Sequence, residues 1–295
     1  MTALLPELPH LLVHDAVKAA LLEDLGRAGD ITSQATIPAD VEASALLVAR
    51  KPGVLSGLAF VREAMRLIDP TIRIEAFAQD GDRLLPGQRI AAISGPARGI
   101  LSGERVALNF LGRLSGVATA TATFADAIAH TRAHIVCTRK TTPGLRAFEK
   151  YAVRCGGGSN HRYGLDDAIL IKDNHIAVCG SVAEAIRRAK AFAGHLVKIE
   201  VEVDTLGQLR EAIEEKPDVV LLDNMTPEQL GEAVAFIAGR ALAEASGGIT
   251  PETVTGIAEA GVDLISTGWI THSAPVLDIG LDIELDIPRM TIQPL

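Results

Sequence analysis

Residues that can bind anions or sugar hydroxyls follow six short apolar segments in the second half of the chain. In chain order they are Arg139 with Lys140, Lys172, Glu202, Asp223, Ser246 with Gly247 and Gly248, and Gly268. The cationic members can bind carboxylates through charge-assisted hydrogen bonds. The carboxylates can bind ribose hydroxyls, or a Mg²⁺ ion that carries a diphosphate, and the glycine turns can offer backbone N–H groups to a phosphate. Each position alone is more often a cap or a loop ion pair, but the joint order indicates a ligand site.

Cationic residues are concentrated around the first of these positions. The segment from Arg139 to Lys172 contains seven lysines and arginines, Arg162 among them, together with His161 and only three acidic residues. This balance has two interpretations that the charges alone do not separate. One is a site for a small, multiply charged anion, and the other is a solvated surface.

The composition excludes several classes of function. The 295 residues carry a formal net charge of −9, which argues against general affinity for nucleic acid or for an anionic membrane. No segment reaches the roughly 18 apolar residues of a membrane span, and the N-terminus has no basic region before Glu7, so we expect no membrane segment and no secretory signal. The three cysteines, with no CxxC spacing, argue against a disulfide framework or a zinc cage, and cytoplasm is the expected compartment.

The spacing of the apolar segments predicts the fold that positions these residues. After residue 130, short apolar runs alternate with helical stretches such as SVAEAIRRAKAFAG and TLGQLREAIEEK, and we place the domain that they form at residues 114–270. Such alternation is typical of parallel βαβ units, and its period fits one unit of a TIM-like barrel. We count six strands, so the prediction is an α/β fold with an incomplete TIM-like barrel. A doubly wound open sheet is the alternative, but the dinucleotide-binding motif GxGxxG follows no first strand here.

Residues 1–113 have a different pattern, which predicts a smaller α+β domain. We expect helices over His10–Leu25, over Gly57–Ile68 and from about Ser102 onward, with short strands between Val41 and Ser94. The tail, residues 271–295, contains the alternating sequence DIGLDIEL, which is typical of a β-strand. We predict that this tail joins the N-terminal domain.

Several motifs resemble those of the quinolinate phosphoribosyltransferase family, also called nicotinate-nucleotide pyrophosphorylase (carboxylating). The longest reads TRKTTPGLRAFEKYAVRCGGGSNHRYGLDDAILIKDNHI. EVEVDTLGQL, LLDNMTPEQL, EASGGIT and STGWITHS resemble later motifs of the family, and EDLGRAGDIT and LSGERVALNFLGRLSG resemble its N-terminal domain. The resemblance covers nearly the whole chain.

The resemblance implies transfer of a phosphoribosyl group from phosphoribosyl pyrophosphate to quinolinate with decarboxylation, in a homodimer whose active sites are shared between subunits. It implies that Arg105 reaches the partner's site and that a cationic group holds the pyridine carboxylates and the diphosphate: Arg139, Lys140, His161, Arg162 and Lys172. Glu202 and Asp223 would face the ribose and Mg²⁺, and Ser246, Gly247, Gly248 and Gly268 would surround the 5′-phosphate. Lys140 is also the candidate that protonates the ring after carbon dioxide leaves.

Three other functions remain open at this point. A barrel lysine, Lys140 or Lys172, could form a Schiff base with a carbonyl substrate. A related phosphoribosyltransferase could act on nicotinate, which needs a clamp for one carboxylate only. A ligand-sensing protein could use the same scaffold without catalysis.

Trp269 departs from the small residue expected directly after Gly268. Its ring belongs to the core if it points into the barrel, and it reshapes the phosphate loop if it points to the mouth.

Overall fold

The computed structural model describes residues 5–284, and the chain divides into two compact units. The first unit comprises the chain up to Thr119 together with the segment from Pro275 onward, and the second is Ala120–Ala274. The sequence predicted these divisions at 113/114 and 270/271. The predicted role of the tail beyond residue 284 lies outside the described residues.

The first unit combines an antiparallel sheet with helices. Its helices are α1 (His10–Leu25), α2 (Ile31–Thr36), α3 (Leu58–Ile68) and α4 (Ala97–Ala127), of which α4 continues into the second unit. Its strands are β1 (Glu42–Ala49), β2 (Gly53–Val54), β3 (Arg73–Ala76), β4 (Arg83–Leu84), β5 (Arg89–Pro96) and β12 (Ile279–Glu284). Strands β12, β1, β5 and β3 form one sheet in that order, and β2 pairs with β4.

The predicted C-terminal strand is confirmed as part of this sheet. Strand β12 lies antiparallel to β1, with Ala45 opposite Ile283 and Leu47 opposite Leu281. Ala45 and Leu47 are almost completely buried, as expected for alternate residues of a strand with one face on the core. The tail therefore completes the sheet of the first unit.

Helix α1 has the bounds that its apolar spacing predicts, and it packs on α3. Val13, Val17 and Leu21 recur every four residues on one face of the helix and are buried, whereas Leu11 is 74% exposed. Beside this contact the buried Glu63 of α3 accepts a hydrogen bond from Arg66 at 2.6 Å and lies 2.8 Å from the His14 ring. Apolar packing and a buried carboxylate network together hold the two helices.

The second unit is built on a parallel sheet. Its strands are β6 (His134–Val136), β7 (Ile169–Ile171), β8 (Ile199–Val203), β9 (Val219–Asp223), β10 (Leu242–Ser246) and β11 (Leu264–Ser266). Its other helices are α5 (Arg146–Cys155), α6 (Asp173–Cys179), α7 (Val182–Phe192), α8 (Leu206–Glu214), α9 (Pro227–Ile237), α10 (Val254–Glu259) and α11 (Trp269–His272). The strand order is β6-β11-β10-β9-β8-β7, and each neighbouring pair is parallel.

This order confirms the predicted incomplete barrel. Strands β6 and β7 follow each other in the chain but lie at opposite edges of the sheet. A single parallel bridge joins Ser159 to Val136, so the loop after α5 extends the sheet at the β6 edge. Because parallel strands share one direction, the residues after all six strands lie at one end of the sheet.

None of the helices between residues 5 and 284 combines the length and the apolar character that crossing a bilayer requires.

The Glu63 network generates a prediction about acid stability. The hydrogen bond from Arg66 is the chief reason why the pKa of Glu63 is lowered to about 2, from an ordinary value of 4.5. Its contribution to stability is therefore complete above pH 4.5 and is lost as the pH falls toward 2. We expect Glu63→Gln to reduce the free energy of unfolding at pH 7 by about 1.5–3 kcal/mol. Urea denaturation followed by circular dichroism measures this.

The matched control is Glu75→Gln, which changes an exposed glutamate on β3. The difference between wild type and the Glu63 variant should narrow as the pH is lowered from neutral toward 3, whereas the control should track wild type throughout. A Glu63 variant as stable as wild type at neutral pH would contradict the proposed importance of this network.

Candidate active site

The loop between α5 and β7 is fixed against β6 by main-chain hydrogen bonds. The N–H of Ser159 donates to Ile135 O at 2.8 Å, and the N–H of Cys137 donates to Ser159 O at 3.2 Å. The residues that follow Ser159, which include His161 and Arg162, are therefore held beside the residues that follow β6. This arrangement brings together two parts of the predicted site that are more than twenty residues apart in sequence.

Three members of the cationic zone, the run of basic residues between Arg139 and Lys172, donate hydrogen bonds to carbonyl oxygens of this loop. Arg146 donates to Tyr163 O at 2.9 Å, and Arg154 donates to Gly158 O at 3.1 Å. Lys150 is completely buried and donates to His161 O at 2.8 Å and to the sulfur of Cys137 at 2.9 Å. The zone is thus neither wholly a ligand site nor wholly a solvated surface, because part of it supports the loop.

Arg139 and Arg162 form the cationic part of the site. Burial lowers the pKa of the Arg162 guanidinium, and the positive charge of Arg139 lowers it further. Arg162 donates from Nη1 to Ala168 O at 3.1 Å. The Nε atoms of both arginines are buried and have no hydrogen-bond partner within the part of the chain that the structure describes. Two adjacent guanidinium groups with unused donors are suited to an anionic ligand.

Lys172 and Glu202 join the cationic and acidic parts. Lys172 directly follows β7, and Glu202 is the penultimate residue of the neighbouring strand β8. Lys172 Nζ lies 2.6 Å from Glu202 Oε2. The Lys172 side chain is about half exposed, whereas the Glu202 side chain is 12% exposed. The exposed face of the ammonium group remains able to meet a ligand.

Asp223 lies at the end of β9, in a region with an excess of negative charge. Burial raises the pKa of Asp223 above its usual range, and the charges of Glu202 and Asp204 raise it further, while Lys172 and Lys140 oppose them. Negative charge gathered around Asp223 provides a favourable position for a cation. Glu202 and Asp223 are the two carboxylates predicted from the sequence as oxygen ligands for Mg²⁺.

The glycine turn after β10 is adjacent to Asp223 and Asn224. Gly247 has φ +95° and Gly248 has φ +59°, conformations that glycine adopts without strain. A Cβ atom on Gly247 would lie 2.1 Å from the Asn224 side-chain oxygen, so the close approach also requires glycine. The main-chain N–H of Asn224 donates to Ser246 O at 2.9 Å, and its side-chain Nδ2 donates to Asp223 Oδ2 at 2.6 Å.

Gly268 allows Lys140 to pack across the end of β11. A Cβ atom on Gly268 would lie 2.8 Å from Lys140 Cδ, and Thr271 Oγ1 donates to Lys140 O at 2.8 Å. The ring of Trp269 lies against the buried ring of Phe124, with centroids 5.8 Å apart. Of the two alternatives for this tryptophan, the structure shows the one in which its ring packs toward the core.

The structure therefore brings most predicted residues to one end of the second unit. Arg105 differs, because it lies on α4 in the first unit with an exposed side chain. The roles assigned to the individual side chains stay predictions.

Two further acids, Glu200 and Glu244, lie behind the site, and the sequence predicts neither of them as a site residue. Both are buried, and their oxygens lie 2.7 Å and 3.8 Å from His161 Nε2. An acidic residue inside an apolar strand was the available signal, since such positions normally hold apolar side chains. That signal marks the acids as unusual without indicating their histidine partner.

Comparisons with known proteins are consistent with this geometry. Residues 30–115 match the family model described as quinolinate phosphoribosyl transferase, N-terminal domain, and residues 117–282 match the model for the C-terminal domain. A probable nicotinate-nucleotide pyrophosphorylase (carboxylating) of Bacillus subtilis is 46% identical over 94% of this chain and 95% of its own length. The Mycobacterium leprae nicotinate-nucleotide pyrophosphorylase (carboxylating) is 44% identical, over 91% of this chain and 96% of its own.

A solved structure of a similar protein has the same fold. The structure of the nicotinate-nucleotide pyrophosphorylase from Francisella tularensis superposes with a TM-score of 0.91 at 39% identity, covering 94% of this chain and 98% of that one.

Proposed function

Because this chain belongs to the quinolinate phosphoribosyltransferase family, we propose how its own side chains divide the reaction of that family among them. The chain is a pentosyltransferase that joins quinolinate to the ribose of phosphoribosyl pyrophosphate and releases pyrophosphate and carbon dioxide. The product is nicotinate mononucleotide, an intermediate of NAD biosynthesis. The observation on which the proposed division depends is the pair of buried, unpaired Nε donors on Arg139 and Arg162.

Arg139, Arg162 and Lys172 hold the two carboxylates of quinolinate in this proposal. Guanidinium groups bind carboxylates with two parallel hydrogen bonds, and both arginines have a buried donor without a partner in the described chain. Lys172 supplies a third charge from the neighbouring side of the site. Two separate cationic sources suit a dicarboxylate better than nicotinate, which has one carboxylate.

Glu202 and Asp223 face the ribose. Attack by the pyridine nitrogen on the anomeric carbon, as diphosphate departs, develops positive charge on the sugar. Two carboxylates fixed beside it stabilise that charge electrostatically. Backbone N–H groups at Ser246, Gly247, Gly248 and Gly268 bind the 5′-phosphate, as is usual for glycine turns after the last strands of such barrels.

Lys140 protonates the ring carbon after decarboxylation. Once the ring nitrogen is bonded to ribose it carries positive charge, which stabilises the electron pair left on the adjacent ring carbon as the carbon–carboxylate bond breaks and carbon dioxide leaves. The carbon then needs a proton, and the exposed Lys140, which packs over Gly268, is the nearby acid we assign.

Mg²⁺ accompanies the phosphoribosyl pyrophosphate, with Glu202 and Asp223 as its protein ligands. The fit rests on their chemistry and position, because both are carboxylates on the neighbouring strands β8 and β9, and oxygen ligands of this kind suit Mg²⁺. Burial, and then the charge of Glu202, raise the pKa of Asp223. When bound, the ion supplies positive charge to the departing diphosphate.

The alternative of a Schiff-base lysine is less consistent with the geometry. A nucleophilic lysine must be neutral, whereas the Lys172 ammonium is 2.6 Å from a carboxylate that stabilises its charged form. No contact described above favours this mechanism.

We also propose a homodimer whose subunits share active sites. The second unit exposes large apolar side chains on its surface, with Val178 91%, Phe192 88% and Leu196 84% exposed. Arg105 lies in the first unit, and the other predicted site residues lie in the second unit. In the proposed dimer, the Arg105 of one subunit joins the site residues of its partner. We place the enzyme in the cytoplasm, because Cys137 and Cys179 are thiols outside any disulfide.

The carboxylate clamp is tested with single alanine variants of Arg139, Arg162 and Lys172. Wild type should form pyrophosphate and carbon dioxide from quinolinate and phosphoribosyl pyrophosphate. Each variant should raise the KM for quinolinate by roughly 10- to 100-fold, because a charged hydrogen-bond partner is lost. The control is Arg188→Ala, which removes an exposed arginine of α7. Unchanged constants in all three clamp variants would refute the assignment.

Metal dependence is tested by removing divalent ions. Activity should disappear in excess EDTA and return when Mg²⁺ or Mn²⁺ is added beyond the chelator, since both ions accept hard oxygen ligands. Full turnover in excess EDTA would show that the proposed ion is not needed.

The shared site is tested by complementation between two inactive proteins, Arg105→Ala and Lys172→Ala. In a mixed dimer, one site has the intact Arg105 of one chain and the intact Lys172 of the other, and the second site has both defects. Random pairing makes about half of the dimers mixed, so recovery should approach about a quarter of wild-type activity. If Arg105 serves its own chain, every site lacks one group and no activity returns. Mass-tagged chains verify that subunits have exchanged.

A further inference from the structure

A buried cluster of two acids and one histidine lies behind the arginine clamp. Glu200 on β8 and Glu244 on β10 have residue exposures of 7% and 1%. His161 Nε2 is 2.7 Å from Glu200 Oε2 and 3.8 Å from Glu244 Oε1. We call these three residues the acid–histidine cluster.

Both ring nitrogens of His161 have partners inside the protein. The main-chain N–H of Arg162 donates to His161 Nδ1 at 2.8 Å, so Nδ1 carries no proton, and Nε2–H donates to Glu200. Burial lowers the pKa of His161, but Glu200 and Glu244 outweigh it and raise the pKa overall. A second proton on Nδ1 would nevertheless oppose the Arg162 N–H, so this arrangement requires the neutral imidazole.

A proton on Glu244 accounts for the two acids lying together. Glu200 Oε1 and Glu244 Oε1 are buried and find no conventional hydrogen-bond donor among the described residues. Burial and the charge of Glu200 raise the pKa of Glu244 to about 7. A hydroxyl on Glu244 that donates to Glu200 satisfies both groups, whereas two buried carboxylates would repel each other.

The groups that face Glu244 come from every neighbouring element. Its polar and charged neighbours are Glu200 from β8, His161 from the loop and Ser266 from β11. The charge of Lys150 on α5 acts on His161. On β9 the residue opposite Glu244 is the apolar Leu221. A metal ion is a poorer occupant than a proton. Ligand bonds of about 2.0–2.2 Å at tetrahedral angles hold donor atoms more than 3 Å apart, which the 2.7 Å separation of His161 and Glu200 does not allow.

We propose that Glu200 and Glu244 are positioning residues for quinolinate recognition, which orient His161 so that its Nδ1 holds the main chain of Arg162. The inference rests on the proposed function of Arg162 in the clamp. Arg162 is thereby fixed at two points, its main-chain N–H by His161 and its Nη1 by Ala168 O, and Nε remains for the ligand. His161 acts through Arg162 in this arrangement.

Protonation of Glu244 makes the cluster sensitive to pH. Since its folded pKa is raised above the ordinary 4.5, the stability that the protonated group contributes is complete below pH 4.5 and is lost as the pH rises toward 7. The ionised Glu244 repels Glu200 and weakens its hold on His161. Glu244→Gln imitates the protonated form, because its amide N–H can donate to Glu200.

The experiment compares Glu200→Ala, Glu200→Gln, Arg162→Ala and the double variant Glu200→Ala/Arg162→Ala in steady-state kinetics. Glu200→Ala should raise the KM for quinolinate by about tenfold and leave the KM for phosphoribosyl pyrophosphate within about twofold. Glu200→Gln should restore most of the affinity, because its amide oxygen still accepts from His161. The double variant should bind quinolinate no worse than Arg162→Ala alone, since both changes remove one function.

A pH series adds a readout that a general loss of structure would not give. The quinolinate KM of wild type should rise as the pH increases from 6 to 8.5, and that of Glu244→Gln should stay flat. The matched control is Glu214→Gln, an exposed glutamate of α8, which should follow wild type.

Each contrary outcome overturns a separate statement. If Arg162→Ala leaves quinolinate binding unchanged, the clamp itself is wrong. If Arg162→Ala weakens binding while Glu200→Ala does not, or if the double variant shows additive losses, the positioning role is wrong. A stoichiometric transition metal in the purified protein that Glu244→Gln removes would also overturn it. If Glu200→Ala does not fold, a Glu200→Gln protein with the quinolinate affinity of Arg162→Ala decides against the proposal.

Discussion

Uncompensated positive charge is the constraint on which the site depends. Arg139 and Arg162 are close enough for one guanidinium to lower the pKa of the other, and each keeps a buried Nε donor without a partner in the described structure. An unsatisfied buried donor of a charged group costs about 1–3 kcal/mol or more. The protein carries this cost in the free state, and an anionic ligand relieves it. In the proposed function, these two unsatisfied donors favour the binding of a dicarboxylate.

The surrounding fold holds these two neighbouring positive charges in place. The parallel sheet brings the ends of six strands together, and three other cations, Arg146, Lys150 and Arg154, hold the loop that carries Arg162 through its carbonyl oxygens. Positive charge therefore serves two purposes within one short segment. Some cations are proposed to bind the ligand, and others donate hydrogen bonds to main-chain carbonyls of the loop that carries Arg162.

Local sequence patterns predicted the helices and strands well, but they did not predict contacts between segments that are distant in sequence. Helix α1 has its predicted bounds because an apolar face of Val13, Val17 and Leu21 defines it and Gly26 ends it. Helix α4 begins at Ala97, directly after β5 and before the predicted Ser102. Charged residues after strands were found because parallel strands must align their ends. The contact of His161 with Glu200 and Glu244 was missed, because it joins a loop to two strands that are not neighbours in the sheet.

The side chains that absorb near 280 nm lie in only one of the two units. The single tryptophan and the two tyrosines, Tyr151, Tyr163 and Trp269, all belong to the second unit. Absorbance near 280 nm and intrinsic emission therefore originate from this unit alone, without labels or added reporters. Trp269 follows Gly268 directly and packs on Phe124, so its emission reports on the turn after β11 and on the core beneath it at once. The first unit is spectroscopically silent in this range.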